Sequence, residues 1–104
     1  MNTQIAFFGI GKHGPFLGTR LLGEIVRKEI LEACRANQQV VIDFAGVDTL
    51  SPSFADECFG VLLDELGIET FKEKLRFKGT TSEINSLLRL VTSRRAKAQI
   101  KHPA

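Results

Sequence analysis

A chain of 104 residues makes room for one domain, because two domains of half that length would each bury too little apolar surface to fold alone. Hydrophobic residues form 43% of the chain and charged residues 25%, which excludes a disordered protein. The apolar runs fall well short of the roughly 18 residues that cross a bilayer, and the N-terminus lacks the pattern of a secretory leader. We therefore expect a cytoplasmic protein with no membrane span.

Charge is unevenly distributed along the chain, although the formal net charge is only +2. Residues 39–70 contain seven carboxylates and neither Lys nor Arg, a charge of −7, whereas residues 71–104 contain nine Lys or Arg against two Glu, a charge of +7. This pattern predicts a molecule with separate acidic and basic regions. The basic third lacks aromatic residues interleaved with its charges, so it favours a solvated face over a nucleic-acid-binding surface.

The first third of the chain predicts a strand, a loop and a helix. The apolar run from Ile5 to Phe8 is typical of a buried strand. The segment from Gly9 to Gly18 contains four glycines and a proline, which predicts a loop. Thr19 is a suitable N-cap for a helix whose apolar residues continue at helical spacing to about Ala36.

The middle third predicts a central strand and a second helix. The β-branched run from Val40 to Phe44 indicates a strand that is covered on both faces, as in a parallel sheet. Ser51 followed by Pro52 predicts a helix start, because Ser caps a helix and Pro is tolerated at its first position. Gly67 is expected to end this helix.

The last third predicts a turn, a strand, a helix and a tail. Phe71 anchors the predicted turn, and the alternation from Lys74 to Lys78 indicates an edge strand. Thr81 or Ser82 caps the last helix. We therefore expect residues 1–97 to form a βαβαβα domain, an α/β fold with a mainly parallel sheet of three or four strands packed by helices, and residues 98–104 to form a flexible tail. Three helical faces are expected in the core: Leu22, Ile25, Val26, Ile30 and Ala33; Ala55, Cys58, Phe59, Leu62 and Leu66; Ile84, Leu87, Leu88 and Val91.

Gly9, Gly11 and Gly14 match the spacing GxGxxG of dinucleotide-binding loops. The next helix begins only near Thr19, so these glycines do not open the helix whose N-terminus would hold a pyrophosphate. Asp43 follows Gly9 by 34 residues, whereas the fingerprint expects an acidic residue after about 20. A structural turn is the favoured interpretation, and a small-ligand or nucleotide-binding domain that uses residues 9–18 is the alternative function.

Four carboxylates, those of Asp43, Asp48, Asp56 and Glu57, could meet at one edge of the sheet and hold Mg²⁺ through oxygen ligands. Asp56 and Glu57 also suit the first turns of a helix, where a carboxylate stabilises the positive end of the helix dipole. The structural role is favoured, so we expect no metal site and no cofactor.

Nucleophilic catalysis has no support in the sequence. His13 falls in the glycine-rich loop and His102 in the tail, where neither is placed to activate a serine. Cys34 and Cys58 each fall within a helical apolar pattern, which predicts core thiols. We therefore expect no catalytic residue.

Two segments, VVIDFAGV at residues 40–47 and SPSFADE at residues 51–57, resemble the STAS-like domains, a bacterial branch related to anti-sigma factor antagonists. The segment FLGTR at residues 16–20 is similar to that family's entry to its first helix, and the resemblance extends from Ile5 to Arg95. In the antagonists, an Asp-Ser-Ser segment begins a helix, and a partner kinase that is also the anti-sigma factor phosphorylates its second serine. By position, Ser51, Pro52 and Ser53 replace these three residues.

The resemblance implies a non-enzymatic regulatory module that docks a protein partner, with a histidine-kinase-like ATPase or kinase encoded nearby as the candidate. The predicted docking or phosphorylation site consists of Ser51, Ser53, Asp56 and Glu57, with Thr19 and Arg20 as neighbours. A phosphate on Ser53 would add roughly −1.5 to −2 charge to a surface that we expect to be acidic already.

Overall fold

The computed structural model describes residues 4–101. A 3-10 turn (Ile10–His13) follows the first strand, and a π turn (Asp56–Gly60) lies between the second and third helices. The elements follow one another along the chain as β1 (Ile5–Gly9), β2 (Phe16–Leu17), α1 (Arg20–Ala36), β3 (Gln39–Asp43), β4 (Thr49–Leu50), α2 (Pro52–Ala55), α3 (Val61–Leu66), α4 (Ile68–Lys74), β5 (Leu75–Lys78) and α5 (Ser82–Lys101).

The sheet confirms the predicted α/β class with parallel strands. β3 lies between β1 and β5, and both pairings are parallel, so the predicted central and edge strands are confirmed. β2 and β4 form a second, two-residue parallel ladder. Because β2 lies within the glycine-rich segment, the predicted loop contains a short strand and the 3-10 turn instead of irregular chain throughout.

One face of the three-stranded sheet is packed against the core and the other is exposed to solvent. This corrects the prediction that the strand from Val40 to Phe44 is covered on both faces. Val40 and Ile42 on β3 are fully buried, whereas Val41 between them is only half-buried. On β1, predicted to be a buried strand, Ile5 is 47% exposed and Phe7 is 73% exposed. A continuous apolar run identifies a strand, but it does not reveal whether helices cover one face or two.

The core is centred on phenylalanine rings that β3, β5 and the π turn bring together. Phe44 directly follows β3, and its ring centroid lies 6.0 Å from that of Phe59. Phe77 of β5 packs edge-on against Phe59 with the ring centroids 5.5 Å apart. Ile84, Leu88 and Val91 cover this core from α5, whose predicted apolar face is confirmed.

Several predicted boundaries differ from the observed ones. Phe71, expected in a turn, lies in α4, and α5 continues to Lys101, through the first residues of the predicted tail. Residues 102–104 of that tail, with His102, lie outside the described range. Ile25 of the expected core face is 46% exposed, because α1 buries the face of Val26 and Ile30 instead.

The second predicted helix is continuous in space but changes its winding at the π turn. We refer to α2, the π turn and α3 together as the composite helix (residues 52–66). It begins at the predicted cap and ends at Gly67, whose φ of 84° lies in the region that favours glycine. Within the described residues, no helix combines the length and apolarity needed to cross a membrane.

Candidate functional site

Ser51 fixes the start of the composite helix and is thereby occupied in a structural role. Its Oγ accepts a hydrogen bond from the Phe54 amide at 3.0 Å, as a helix N-cap does. The same hydroxyl donates to the carbonyl of Gly18 at 2.8 Å, which ties this helix to the entry of α1. Pro52 occupies the first position, where its missing N–H costs no hydrogen bond. The predicted helix start is confirmed.

Ser53 lies in the first turn with its side chain exposed, in contrast to Ser51. The next residue, Phe54, is fully buried and anchors the turn in the core. The exposed serine therefore sits on backbone that Ser51 and Phe54 hold firmly. Thr19, the predicted neighbour, is the N-cap of α1 and accepts from the Leu22 amide at 3.0 Å. Its hydroxyl also has a structural role.

Glu57 is held by two arginines of α1. Arg27, which is almost fully buried, donates both to the Glu57 carboxylate and, at 2.7 Å, to the Glu57 backbone carbonyl in the π turn. Arg20 donates to the Glu57 carboxylate at 3.3 Å. Hydrogen bonding from Arg27, with a smaller contribution from Arg20, lowers the pKa of Glu57 below its usual value. No local pattern around Glu57 indicates Arg27, since the two residues are 30 positions apart in the chain.

Asp56 is held by Arg95 of α5 in a two-pronged arrangement. Arg95 Nε and Nη2 donate to the two carboxylate oxygens at 3.1 and 2.7 Å, and Nη1 donates to Asp64 at 2.6 Å. Gly60 makes room for this fork, because a Cβ there would lie 2.7 Å from Asp56 Oδ1. The Arg95 bonds, more than the 3.4 Å bond from Arg20, lower the pKa of Asp56, and in turn they raise the pKa of Arg95.

These ion pairs change the predicted electrostatics of the site. The acidic middle third is packed against arginines from both other thirds, so Asp56 and Glu57 are not free anions on an acidic surface. The charge separation seen along the chain is reduced in space by Arg20, Arg27 and Arg95. Arg20, expected as a neighbour of these residues, forms ion pairs with Asp56 and Glu57. Arg27 and Arg95 were missed, because contacts between residues so far apart depend on tertiary packing.

A pocket of about 240 Å³ opens beside Ser53, between the start of the composite helix and α5. Two arginines, Arg20 and Arg94, line it together with Ser53. Its remaining walls are largely apolar: Pro52, Leu87, Leu90 and Val91, with Asp56 at the side. The pocket thus places cationic groups and apolar surface next to the exposed hydroxyl.

The glycine-rich segment is packed into the fold as a turn. Ile10 is fully buried, and His13 Nε2 lies 2.9 Å from Glu29 Oε1 on α1. Lys12 Nζ lies 4.5 Å above the ring of Phe8. A Cβ at Gly11 would lie 2.4 Å from the Ala45 carbonyl oxygen, so this glycine allows two backbone segments to approach closely. These contacts support the structural interpretation of the glycines.

The structure also shows where the two cysteines and the carboxylates Asp43 and Asp48 lie. Cys34 and Cys58 are free and buried, which confirms them as core thiols, and burial raises the pKa of both. Asp43 accepts from the Ala45 amide at 3.0 Å, and Asp48 is exposed. Among residues 4–101, no group of three or more His, Cys, Asp or Glu side chains could hold a metal ion.

One protein-family comparison matches the chain. The family model described as "STAS-like domain of unknown function (DUF4325)" covers residues 23–85, which is more than half of the sequence. The match includes residues 51–57 and ends before Arg94. No curated protein and no solved structure shows significant similarity to the chain.

Proposed function

Since the chain belongs to the family of STAS-like domains of unknown function, we propose that it is a non-enzymatic regulatory module that docks a protein partner through the start of the composite helix. The observation that carries the proposal is the exposed Ser53 on a firmly held helical turn, beside a pocket that contains Arg20 and Arg94. The candidate partner is a histidine-kinase-like ATPase or an anti-sigma-type kinase, encoded nearby and acting in the cytoplasm.

The composition of this surface supports docking. Protein interfaces have an apolar centre and a polar rim, and arginine is among the residues that contribute most of the binding energy. Leu90, 45% exposed, and Pro52 provide apolar area next to the two arginines. The turn itself is preorganised by the Ser51 cap and by the Asp56 bonds to Arg95, so little conformational entropy is lost when a partner binds.

The same geometry supports regulation by phosphorylation of Ser53. In that step Ser53 Oγ takes the γ-phosphoryl group of ATP, the bond from this phosphorus to the β-γ bridging oxygen breaks, ADP leaves, and the hydroxyl proton is released. The product carries roughly −1.5 to −2 charge and three acceptor oxygens beside Arg20 and Arg94, which favours charge-assisted hydrogen bonds. Phosphorylation would therefore neutralise the cationic part of the pocket and weaken a partner that binds these arginines.

Recovery of partners from the native cell tests the proposal. Purified wild type, Ser53→Ala, Ser53→Asp and Ser93→Asp serve as baits, each first shown to be folded by thermal melting. Ser93 is exposed on α5 and lies outside the Ser53 pocket, so it controls for added charge alone. We expect Ser53→Asp to lose a protein that the other three baits recover, since disrupting a charge pair that the bound partner buries can cost roughly 2 to 5 kcal/mol. Equal recovery by all four baits would refute docking at Ser53.

A further inference from the structure

The Ser53 pocket adjoins a second pocket, and both lie along α5. The second pocket has a volume of about 200 Å³ and lies toward the start of α5. Pro52 and Leu87 line both pockets, so the two pockets lie side by side on either side of these residues. We refer to this combined feature as the α5 groove.

The two ends of the α5 groove carry opposite charges. Asp48 and Glu83 line the second pocket, and both side chains are exposed. Arg20 and Arg94 line the Ser53 pocket at the other end. Asp56 also lines that end, but its carboxylate is engaged by the two Arg95 bonds described above. Arg20 is itself bonded to Asp56 and Glu57, so the basic character of this end comes mainly from Arg94, for which the described residues provide no ion pair. The groove therefore has an acidic end and a basic end.

The middle of the α5 groove is apolar. Pro52 and Leu87 line both pockets. Leu50 and Ile84 add apolar lining toward the acidic end, and Leu90 adds it toward the basic end. Burial of apolar side chains supplies most of the affinity of a typical interface. Exposed ion pairs add little affinity but determine orientation and exclude wrong partners.

From this arrangement we infer that the α5 groove binds an extended segment of the partner with a defined charge order. The segment carries a basic side chain at the end that meets Asp48 and Glu83, apolar residues over Pro52 and Leu87, and an acidic side chain at the end that meets Arg20 and Arg94. The inference rests on the proposed function and adds the chemistry of the partner to it. Like-charge contacts would disfavour a segment that is basic at both ends or acidic at both ends.

A display library of random short peptides, selected on the purified full chain, tests this inference. We expect the wild type to enrich peptides that carry a basic residue at one end, apolar residues between and an acidic residue at the other. Arg94→Glu should instead enrich peptides that are basic at both ends, and Asp48→Lys should enrich peptides that are acidic at both ends. Arg89→Glu is the matched control, since Arg89 is exposed on α5 but does not line the groove, and it should retain the wild-type pattern.

The affinities of synthesised wild-type-selected peptides give a second readout. Arg94→Glu should weaken their binding about tenfold, whereas Arg89→Glu should change it by less than about twofold. Three results would overturn the inference: the wild type enriches no peptides, it enriches peptides without the charge order, or Arg94→Glu and Asp48→Lys select the same order as the wild type. If partner recovery depends on Ser53 but the two variants select the same peptides as the wild type, only the groove inference fails. If recovery does not depend on Ser53, the proposed function fails.

Discussion

Replacing Gly11 with Ala should destabilise the protein, although the segment around it reads as a tolerant loop. The new Cβ would lie 2.4 Å from the Ala45 carbonyl oxygen, so one of the two backbone segments must shift by about 1 Å to reach an ordinary contact. The Ala45 segment is anchored, because its amide binds Asp43 and the Phe44 amide binds the Lys78 carbonyl at 2.9 Å. Overpacking of this kind costs about 1 to 3 kcal/mol.

Gly9→Ala is the matched control in the same segment. A Cβ at Gly9 meets nothing within 4 Å, and alanine restricts the unfolded chain more than glycine does, so we expect a gain of about 0.5 to 1 kcal/mol. In a domain of this size 1 kcal/mol corresponds to about 4 to 8 °C in Tm. Thermal melting should therefore place Gly11→Ala well below the wild type and Gly9→Ala slightly above it. If the Tm of Gly11→Ala equals that of Gly9→Ala, the close approach of Gly11 to the Ala45 carbonyl is refuted.

The same segment separates the proposed function from the nucleotide-binding alternative. Lys12→Ala removes an exposed cation whose contacts with the Phe8 ring and Glu29 are each worth about 1 kcal/mol at most, so it should lower Tm only slightly and leave partner recovery unchanged. A ligand present at 100 times its Kd would add about 2.7 kcal/mol of stability. A melting shift with ATP or NAD that is lost in Lys12→Ala would favour the nucleotide-binding alternative and contradict a purely structural turn.

Three further predictions concern stability. Phe59→Ala should lower the free energy of unfolding by roughly 3 to 5 kcal/mol in urea titrations, because the ring is fully buried; a near-neutral change would contradict the ring cluster. Ser53→Asp should change it by only a few tenths of a kcal/mol, since Ser51 caps the helix. The pKa values of Asp56 and Glu57 are lowered from their ordinary values of 3.8 and 4.5. Their ion pairs therefore stabilise the folded state fully when the pH is above these ordinary values, and this stabilisation is lost as the pH falls through the lowered pKa values. Urea titrations of Asp56→Asn should therefore show lower stability at neutral pH and a shallower decline on acidification, and a parallel decline would contradict the pairing.

Local sequence signals predicted the parts of the fold that local physics determines. Thr19 and Ser51 were identified as helix caps from residue type and spacing, and both accept the expected amide hydrogen bonds. The β-branched run of β3 identified the central strand. The sequence prediction lacks α4, because Gly67 is a strong signal for the end of a helix. Ile68 and Phe71 at a spacing of three, with Glu69 in the first turn and Lys72 in the last, nevertheless carried a helical signal.

The candidate site was predicted only in part, because its electrostatics depend on tertiary contacts. Residues 51–57 were located by capping signals and by the family resemblance. No local pattern indicates that Arg95 will reach Asp56 from 39 positions away, or that Arg27 will bind the π turn. The expected acidic surface is therefore largely paired, and the pocket that adjoins Ser53 contains, beside the expected Arg20, a second arginine, Arg94, that no local pattern assigned to the site.

Photo-cross-linking in the native cell tests the central claim, docking at Ser53, most directly. A photoreactive amino acid placed at position 53 is compared with the same amino acid at position 89, which is also exposed to solvent but lies on α5 away from the pocket. Docking predicts a covalent adduct with a single partner protein from position 53 upon irradiation and no such adduct from position 89. The absence of an adduct at position 53, or the same adducts from both positions, would contradict the claim.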